Sequence, residues 1–353
     1  MHNFNFKDLD DLDSVSRELG CETNFIQTVL EHTSNFYQQL RVPKKRSKKV
    51  RIVYEANESL KNIHKNILAS ISEKIIFPEY VQGFVSKRSI VTNASLHLSK
   101  KYVLNLDIKD FFESIKIDKI IDIFSRELEC NDTTSNIFAK LCTFNGCLVQ
   151  GANTSPILAN LVCKELDQDL YEIAQSYNCS YSRYADDITF SGDICPRKKV
   201  IEPCIKRYGF NLNPDKWKLQ RRGTRQYVTG LTVFDDNKPR ISKQVKRKLR
   251  QVIYYMQKYG LSNHFEKVII EDEDVQSEFF DVDGLIAFMY SVEPEYAYKF
   301  DLDWQKICIK EGIKPSRSPS KLFEKFLKKK DSNSSVNIEG LHNKLTNYSD
   351  RES

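Results

Sequence analysis

The order of hydrophobic and polar residues predicts helices near the beginning and towards the end of the chain. In residues 1–40, apolar residues recur at helical spacings, as at Leu12 and Val15. Residues 56–74 have the pattern of an amphipathic helix, and residues 242–298 are mostly helical in pattern. Strands are therefore expected mainly in the central part of the chain.

Alternation of side chains predicts a strand at residues 102–108. Leu104 and Leu106 would face one side of a sheet, while Asn105 and Asp107 would face the other side. Asp107 would then lie near the end of this strand.

Two hairpins are predicted where turn-forming residues separate strand patterns. The first joins residues 181–184 to residues 188–191 through Ala185-Asp186-Asp187. The second follows the strand pattern of residues 228–234 and turns at residues 235–237.

The dipeptide Ser155-Pro156 predicts a helix start, because serine is a good N-cap and proline suits the first helical position. The apolar pattern continues from there to Leu170. A shorter helix is predicted at residues 321–330, within a polar and basic tail at residues 313–353 that we expect to be loosely ordered.

The length of 353 residues allows one large domain or two to three lobes. No apolar run approaches the roughly 18–20 residues that a membrane span needs, and the first residues lack a signal-peptide pattern. The nine cysteines are scattered and contain no CxxC pair, which favours reduced thiols over disulfides or a zinc site. These features predict a cytoplasmic protein.

Basic residues are concentrated in two segments. Residues 41–51 contain seven basic residues and no acid, and residues 197–250 contain seventeen basic and four acidic residues. The whole chain has a net charge of only +6, so its remaining parts are acidic, above all residues 266–283. Such clustering predicts a polyanionic partner, because a merely solvated surface would intersperse its charges.

Three carboxylates are candidates for metal-dependent phosphoryl transfer: Asp107 at a strand end, and Asp186 and Asp187 at a hairpin tip. Mg²⁺ prefers oxygen ligands, and two such ions can activate an attacking hydroxyl and hold a triphosphate. The chain has two other Asp-Asp pairs, at residues 10–11 and 235–236, which fit a solvated surface and a turn. Only the pair at 186–187 lies between apolar strand residues, where two acids would repel without a cation.

Three motifs around these aspartates resemble those of reverse transcriptases, in the same order and spacing. Tyr184-Ala185-Asp186-Asp187 resembles the YxDD box, and the segment from Asn105 to Phe112 resembles the first catalytic motif. The segment from Gln150 to Pro156 matches the QG-x-x-x-SP motif, although Val149 stands where the family commonly has proline. The resemblance covers about residues 51–233 and implies an RNA-directed DNA polymerase with an α+β right-hand fold.

The resemblance implies catalytic roles for four residues. Asp107 and Asp186 would be the main ligands of two Mg²⁺ ions, and Asp187 would complete the acidic cluster. Lys216 matches the lysine proposed to protonate the pyrophosphate leaving group.

The resemblance also implies a dNTP pocket. Phe112 would be the steric gate that excludes a ribose 2′-hydroxyl, with a core aromatic as the alternative interpretation. Gln150 and Gly151 would line the pocket, and Arg51 would contact the triphosphate, because a guanidinium suits phosphate oxygens. Lys48 and Lys49 could do the same or could form a solvated basic surface.

Two further motifs resemble those of retron reverse transcriptases from bacteria. Asn93-Ala94-Ser95-Leu96-His97 matches NAxxH, and Val228-Thr229-Gly230 matches VTG. We expect Asn93, His97 and the VTG residues to bind RNA, together with the basic residues Arg221, Arg222 and Arg225. In the alternative interpretation both motifs are structural, with Asn93 capping a helix and Gly230 relieving a strand.

The retron resemblance implies a four-part organisation: an N-terminal helical segment at 1–40, fingers and palm at 41–235, a thumb at 236–312 and the tail at 313–353. It also implies a cognate structured non-coding RNA as template and primer. Synthesis would start from a guanosine 2′-hydroxyl, consume dNTPs and give branched msDNA, in an anti-phage system with a separate effector protein. The alternatives are another bacterial defence or diversity-generating reverse transcriptase without msDNA, and a non-catalytic RNA-binding scaffold.

Overall fold

The computed structural model describes residues 4–43, 50–260 and 275–312 of the chain. Contacts within the protein divide it into two units, Met1–Lys238 and Pro239–Ser353. The first unit combines helices with antiparallel sheets, and the described part of the second unit is mainly helical. The protein therefore has an α+β fold.

The helices and strands of the first unit are interspersed along the chain. Its helices are α1 (Leu12–Leu19), α2 (Thr23–Glu31), α3 (Glu58–Lys74), α4 (Ile90–Ser95), α5 (Phe111–Ser114), α6 (Ile117–Asp122), α7 (Asp132–Cys142), α8 (Ser155–Val162), α9 (Lys164–Ser176) and α10 (Lys198–Arg207). Its strands are β1 (Tyr37–Pro43), β2 (Val50–Ala56), β3 (Tyr102–Asp107), β4 (Ser180–Tyr184), β5 (Asp187–Gly192), β6 (Lys218–Arg221), β7 (Tyr227–Val228) and β8 (Leu231–Thr232).

A four-stranded antiparallel sheet in the order β4-β5-β3-β6 forms the centre of the first unit. Leu104 and Leu106 of β3 are buried in the main core, as the alternating pattern predicted. The other face of the same strand carries the polar residues Asn105 and Asp107. One face of the strand thus packs into the hydrophobic core, and the other face carries polar side chains.

The N-terminal residues belong to the same core as the sheet. The buried ring of Phe6 packs against Phe124 and Phe138, with centroid distances of 5.7 and 5.0 Å. Helix α1 begins with a capping box between Asp11 and Ser14, which satisfies backbone amides at its first turn. The segment 1–40 is therefore part of the first unit and not a separate body.

Strand β1 corrects the prediction that the first forty residues are helical throughout. The helices α1 and α2 are confirmed, but residues 37–43 form a strand that pairs with β2. The β1–β2 ladder gives residues 37–40 hydrogen bonds that their weak local helix pattern could not supply.

The predicted turn at residues 235–237 is a turn, but it does not join two strands. Asp235 Oδ1 accepts hydrogen bonds from the backbone amides of Asn237 and Lys238, which makes a local turn. The second hairpin turns instead at Thr229–Gly230, between β7 and β8. Both turn residues have positive φ angles, of 45° and 82°, which suits a two-residue hairpin loop.

The helix predicted from Ser155 is present, but its N-cap is the residue before Ser155. Thr154 is the N-cap and makes no side-chain capping bond, while Ser155 is already helical. The pattern that continued to Leu170 belongs to two helices, α8 and α9, with Cys163 between them. The prediction missed this break because the apolar spacing is the same on both sides.

The second unit contributes the helices α11 (Lys243–Tyr259), α12 (Val275–Val292) and α13 (Pro294–Lys310) to the described structure. The helical prediction for residues 242–298 is confirmed within the described ranges, by the helices at 243–259, 275–292 and 294–310. Leu249 and Ile253 of α11 are buried, and the buried Glu293 carboxylate pairs with Lys246 at 2.7 Å. None of the helices in the described ranges is both long and apolar enough to cross a membrane.

Several predictions fall on parts of the chain that the structure does not describe. Lys48, Lys49, the helix at 321–330 and the tail at 313–353 lie outside the described residues. The basic segment 197–250 is described throughout and is shared between the two units.

Candidate active site

Two of the three aspartates lie directly opposite each other on neighbouring strands. Asp107 ends β3, Asp187 begins β5, and the two form one cross-strand pair. Side chains of such a pair share one face of the sheet, with Cβ atoms roughly 4.5–5.5 Å apart. Asp186 lies in the loop just before β5, where its carbonyl oxygen accepts a 3.0 Å hydrogen bond from the Ile108 amide. One end of the sheet therefore brings together the three aspartates singled out from the sequence.

The loop that carries Asp186 is shorter than the sequence predicted. It contains only Ala185 and Asp186, because Asp187 is already paired with Tyr184 as the first residue of β5. Ala185 has a φ of 58°, a left-handed conformation that a two-residue turn requires. The tightness of this turn is what keeps the two consecutive carboxyl groups at the strand end.

Gly83 lies against this turn. A Cβ atom at Gly83 would lie 2.3 Å from the Ala185 nitrogen, so any other residue would push the turn away. The Gly83 carbonyl oxygen accepts a 2.9 Å hydrogen bond from Asn160 Nδ2, which fixes the segment from behind. A glycine is therefore required here for close approach of two backbones.

A buried ion pair lies beneath the turn. Arg183 Nε and Nη2 donate to the two carboxylate oxygens of Asp167 at 2.7 and 2.6 Å, and both side chains are buried. Arg183 Nη1 also donates to the Ala185 carbonyl oxygen at 3.1 Å and to Asn160 Oδ1 at 3.0 Å. Burial is the largest influence and would lower the pKa of Arg183, but the charge and hydrogen bonds of Asp167, together with Cys163 and Tyr181, raise that pKa overall. The guanidinium thus stays charged and ties the turn to helix α9.

Lys216 and Asn213 hold the Asp107 carboxylate. Lys216 Nζ forms an ion pair with Asp107 Oδ2, and Asn213 Nδ2 donates to Asp107 Oδ1 at 3.2 Å. Burial would lower the pKa of Lys216, but its hydrogen bond to Asp107 and the aspartate charges raise that pKa overall. Lys216 is therefore a charged proton donor within reach of the carboxylates.

The aspartates are electrostatically crowded. Burial and then the charge on Asp107 raise the pKa of the Asp186 carboxyl. Asp187 is accessible to solvent, yet loss of surrounding water and the charges on Asp186 and Asp107 raise its pKa to about 7. Lys216 opposes both shifts without cancelling them. The site favours an additional positive charge.

The donor set fits an open divalent cation site. In the described ranges, no group of three or more His, Cys, Asp or Glu side chains is arranged to hold a metal ion alone. Mg²⁺ commonly binds one or two carboxylates and takes its remaining oxygens from water and substrate phosphates. Carboxylates with raised pKa values and mutual repulsion agree with such a substrate-completed site.

Strand β2 carries part of the predicted dNTP pocket. The Tyr54 amide donates a 2.8 Å hydrogen bond to the Gln150 carbonyl oxygen. A Cβ atom at Gly151 would lie 2.4 Å from the Tyr54 carbonyl oxygen, so glycine permits this close contact. Arg51 is exposed on the same strand, three residues before Tyr54. The structure therefore joins the loop of Gln150 and Gly151 to the strand that bears Arg51.

Phe112 is half-buried at the start of α5, just beyond Asp107. Its ring lies 5.4 Å from that of Phe111 and 6.1 Å from that of Phe84, measured between centroids. Phe111 is buried, whereas Phe112 is partly buried and also packs against the main core, so its role as steric gate stays a prediction.

The NAxxH and VTG motifs are largely internal, which corrects their assignment as an RNA-binding surface. Asn93, His97 and Val228 are buried, with exposed fractions of 1%, 0% and 0%. Buried side chains cannot contact RNA directly, so the prediction of direct binding is wrong for these three. Thr229 is half-buried and Gly230 is exposed, so only the turn itself is accessible.

The alternative interpretation of NAxxH also needs correction. Ser89, not Asn93, is the N-cap of helix α4 and forms a capping box with Thr92. Asn93 lies inside the helix and bonds to other elements through its side chain.

The three basic candidates Arg221, Arg222 and Arg225 are exposed. Arg222 also has structural contacts, since its guanidinium donates to the Ser99 carbonyl oxygen at 3.1 Å and pairs with Asp236 at 3.4 Å. Arg221 and Arg225 are therefore the cleaner candidates for contacts with a polyanion.

Sequence reasoning missed the residues that support the aspartates from behind. Arg183, Asp167, Asn160 and Asn213 lie in or beside the recognised motifs but were given no role. Arg183 carried a usable signal, because a charged residue inside an otherwise half-apolar strand needs a buried partner. Its partner, Asp167, could not be chosen from the sequence among the several acids of that region.

Comparison with known proteins agrees with this geometry. Residues 42–275 match the family described as reverse transcriptase (RNA-dependent DNA polymerase). The retron Se72 reverse transcriptase of Salmonella heidelberg is 32% identical over 267 residues, covering 73% of this chain and 70% of that protein. The retron Mx65 reverse transcriptase of Myxococcus xanthus is 32% identical, covering 74% and 62%. The retron Ec86 reverse transcriptase of Escherichia coli is 28% identical, covering 72% and 81%.

The chain belongs to the reverse transcriptase family, whose activity is RNA-directed DNA polymerisation. Its similarity to several retron enzymes over most of its length identifies it as retron-type. The family uses divalent metal ions, in agreement with the carboxylate donors at the end of the sheet.

We predict that Asp187→Asn stabilises the metal-free protein at high pH. The folded-state pKa of about 7 lies above the usual aspartate value of 3.8. The folded protein thus binds more protons between these values, and the stability of the wild type relative to the variant falls as pH rises through that window. Thermal melts in EDTA should show a higher Tm for Asp187→Asn at pH 8 and no difference near pH 4.

Asp10→Asn is the matched control, because Asp10 is an exposed member of another Asp-Asp pair. A pH-independent difference at Asp187, or the same pH dependence at Asp10, would show that the carboxylates do not crowd one another.

Proposed function

We propose that this chain copies a cognate structured non-coding RNA into DNA, starting from a guanosine 2′-hydroxyl and giving branched msDNA. The observation that carries the polymerase chemistry is the Asp107–Asp187 cross-strand pair with Asp186 in the adjoining turn and Lys216 beside them. The retron similarity supports the branched product.

In this proposal Asp107 and Asp186 hold two Mg²⁺ ions, and Asp187 completes the acidic cluster. The ions would supply charge neutralisation at the triphosphate and activation of the attacking hydroxyl. Lys216, already charged and close to the carboxylates, would donate its proton to the pyrophosphate leaving group. Arg183 and Asp167 would keep the turn in place during the reaction.

We assign the first unit to fingers and palm and the second unit to the thumb of a right-hand polymerase. The β1–β2 hairpin would be the tip of the fingers, where Arg51 would contact the triphosphate. Gln150 and Gly151 would line the dNTP pocket, and Phe112 would be its steric gate. The four-stranded sheet would be the palm.

The RNA template would be held by exposed basic residues, including Arg221, Arg222 and Arg225, while the accessible turn at Thr229–Gly230 would contact only the nucleotide that starts DNA synthesis. Their location on the first unit agrees with a polyanion that passes the carboxylates. We further propose that the enzyme works in the bacterial cytoplasm, in an anti-phage system with a separate effector protein.

The branched product is the direct test of the retron role. Expression with the native upstream non-coding DNA should yield a short single-stranded DNA joined to RNA. The linkage should survive ribonuclease and should be opened by a 2′,5′-debranching enzyme. Unbranched DNA alone would leave a general reverse transcriptase and reject the msDNA proposal.

The steric gate predicts that Phe112→Val raises the use of rNTPs relative to dNTPs. A smaller side chain leaves room for the 2′-hydroxyl, so the ratio of kcat/KM values should shift towards rNTPs by roughly tenfold or more. Phe111→Leu is the control, because Phe111 is the buried neighbour. An equal loss for both nucleotides in Phe112→Val would make Phe112 a packing residue.

The basic residues predict a salt-dependent effect on RNA binding. A plot of log affinity against log salt concentration has a negative slope. Arg221→Gln and Arg225→Gln should each make that slope less steep by roughly 0.7–0.9 for each phosphate that the variant no longer neutralises. Lys65→Gln, an exposed lysine on α3, serves as a charge-matched control. An unchanged slope in both arginine variants would place the RNA elsewhere.

A further inference from the structure

The NAxxH and VTG motifs are joined by one continuous chain of side-chain hydrogen bonds. His97 Nδ1 lies 2.7 Å from Ser191 Oγ, and His97 Nε2 lies 2.8 Å from Ser182 Oγ. Ser182 Oγ donates to Asn93 Oδ1 at 2.6 Å. Asn93 Nδ2 in turn donates to Thr229 Oγ1 at 3.4 Å. The chain thus runs from strand β5 through β4 and α4 to the hairpin turn between β7 and β8.

The direction of every bond in this chain is determined. Burial lowers the pKa of His97 to about 3, so the ring is neutral and has one N–H. Ser182 uses its only proton on Asn93, so it must accept from His97 Nε2–H. His97 Nδ1 must then accept the proton of Ser191 Oγ. Replacing any one of these side chains leaves the hydrogen-bonding group of a buried partner unsatisfied, which destabilises the arrangement.

Thr229, the last residue in this series of hydrogen bonds, has a strained backbone conformation. Thr229 has a φ of 45°, which is rare for a β-branched residue. Besides accepting from Asn93, its hydroxyl donates to the Ile90 carbonyl oxygen at 3.2 Å. Strain of this kind persists only where the surroundings impose it, and it is concentrated at functional sites. The two-residue hairpin turn requires a positive φ at this position, and the hydrogen bonds to α4 hold Thr229 in it.

The held turn is accessible to a ligand. Gly230 is exposed, and a Cβ atom built there would meet nothing within 4 Å. Its backbone groups can therefore be approached closely, as a ribose or phosphate would require. Thr229 is held by hydrogen bonds, and Gly230 is the exposed residue of the turn.

This series of hydrogen bonds lies on the face of the sheet that also carries Asp107 and Asp187. Residues at alternate positions of β5, namely Asp187, Thr189 and Ser191, point to one face. On the same face, Asn105 accepts from Thr189 Oγ1 at 3.1 Å and donates to the Tyr227 carbonyl oxygen at 2.7 Å. The β7–β8 hairpin is thus bonded to the strand that ends in Asp107.

We propose that Asn93, Ser182, His97 and Ser191 form a buried positioning relay that fixes the Thr229–Gly230 turn, and that this turn supports the RNA nucleotide whose 2′-hydroxyl starts DNA synthesis. The inference rests on the proposed retron function. An annealed DNA primer is positioned by pairing with its template. A 2′-hydroxyl inside an RNA strand has no such help, so its ribose must be turned towards the carboxylates by protein contacts.

The test compares two reactions of the same enzyme. One is formation of branched product on the native non-coding RNA, and the other is extension of a DNA primer annealed to an RNA template. Thr229→Val removes the hydroxyl at nearly constant shape, whereas Thr229→Ser keeps it. Thr229→Val and Asn93→Ala should slow branched initiation on the order of tenfold to a hundredfold. Primer extension should change by less than about threefold, and Thr229→Ser should behave like the wild type.

Matched controls separate positioning from general stability. His64 is also fully buried, and its ring Nε2 lies 2.8 Å from the Leu141 carbonyl oxygen, away from this relay. His97→Gln should impair initiation selectively, whereas His64→Gln should lower Tm without selectivity between the two reactions. Asn66→Ala, which removes a 3.1 Å bond to the Leu19 carbonyl oxygen, is the control for Asn93→Ala.

The outcomes distinguish this inference from the proposed function. If the relay variants slow both reactions equally, in proportion to the decrease in Tm, the relay is merely structural and the inference is wrong. Weaker RNA affinity without a selective initiation defect would also overturn it. If the wild type extends the DNA primer but makes no branched product, the retron function itself fails and the inference falls with it.

Discussion

Three carboxyl groups at one end of an antiparallel sheet repel one another, and much of the first unit is arranged to keep them there. Asp107 and Asp187 are fixed as a cross-strand pair, and a two-residue turn adds Asp186. Lys216 neutralises only part of this charge, so the pKa values of Asp186 and Asp187 stay raised. The site therefore has excess negative charge, which a divalent cation bound with a triphosphate can neutralise.

The turn is held from beneath by polar contacts instead of by apolar packing. Arg183 bonds to Asp167 on one side and to the Ala185 carbonyl oxygen on the other. Taking such a pair out of water costs several kcal/mol for each ion, so apolar residues would serve stability at least as well. What the ion pair adds is a fixed orientation of the turn, because Arg183 donates to the Ala185 carbonyl oxygen. Orientation matters because a displacement of about 1 Å in a reacting group can slow a reaction. The relay through His97 also fixes a turn by polar contacts, and it lies on the face of β4 opposite to Arg183.

The sequence was sufficient where short-range patterns decide the outcome. Alternation in β3 and the Asp-Asp pair between strands located the end of the sheet at which the three carboxyl groups meet. The sequence was insufficient where distant residues meet. His97 was predicted to bind RNA, and its burial could not be foreseen because its partners, Ser182 and Ser191, are 85 and 94 residues away. Residues 37–40 were assigned to a helix because their pairing with residues 53–56 of β2 is a contact between distant positions that no local pattern in residues 37–40 indicates.

Single-nucleotide incorporation on an RNA template measures the central claim most directly, that the turn aspartate serves metal-dependent polymerisation. Asp186→Asn should lower the rate by about a thousandfold or more, equivalent to about 4 kcal/mol, with folding and RNA affinity retained. Asp10→Asn, in an exposed Asp-Asp pair, should keep the wild-type rate. A wild-type rate in Asp186→Asn, or an equal loss in Asp10→Asn, would contradict the account.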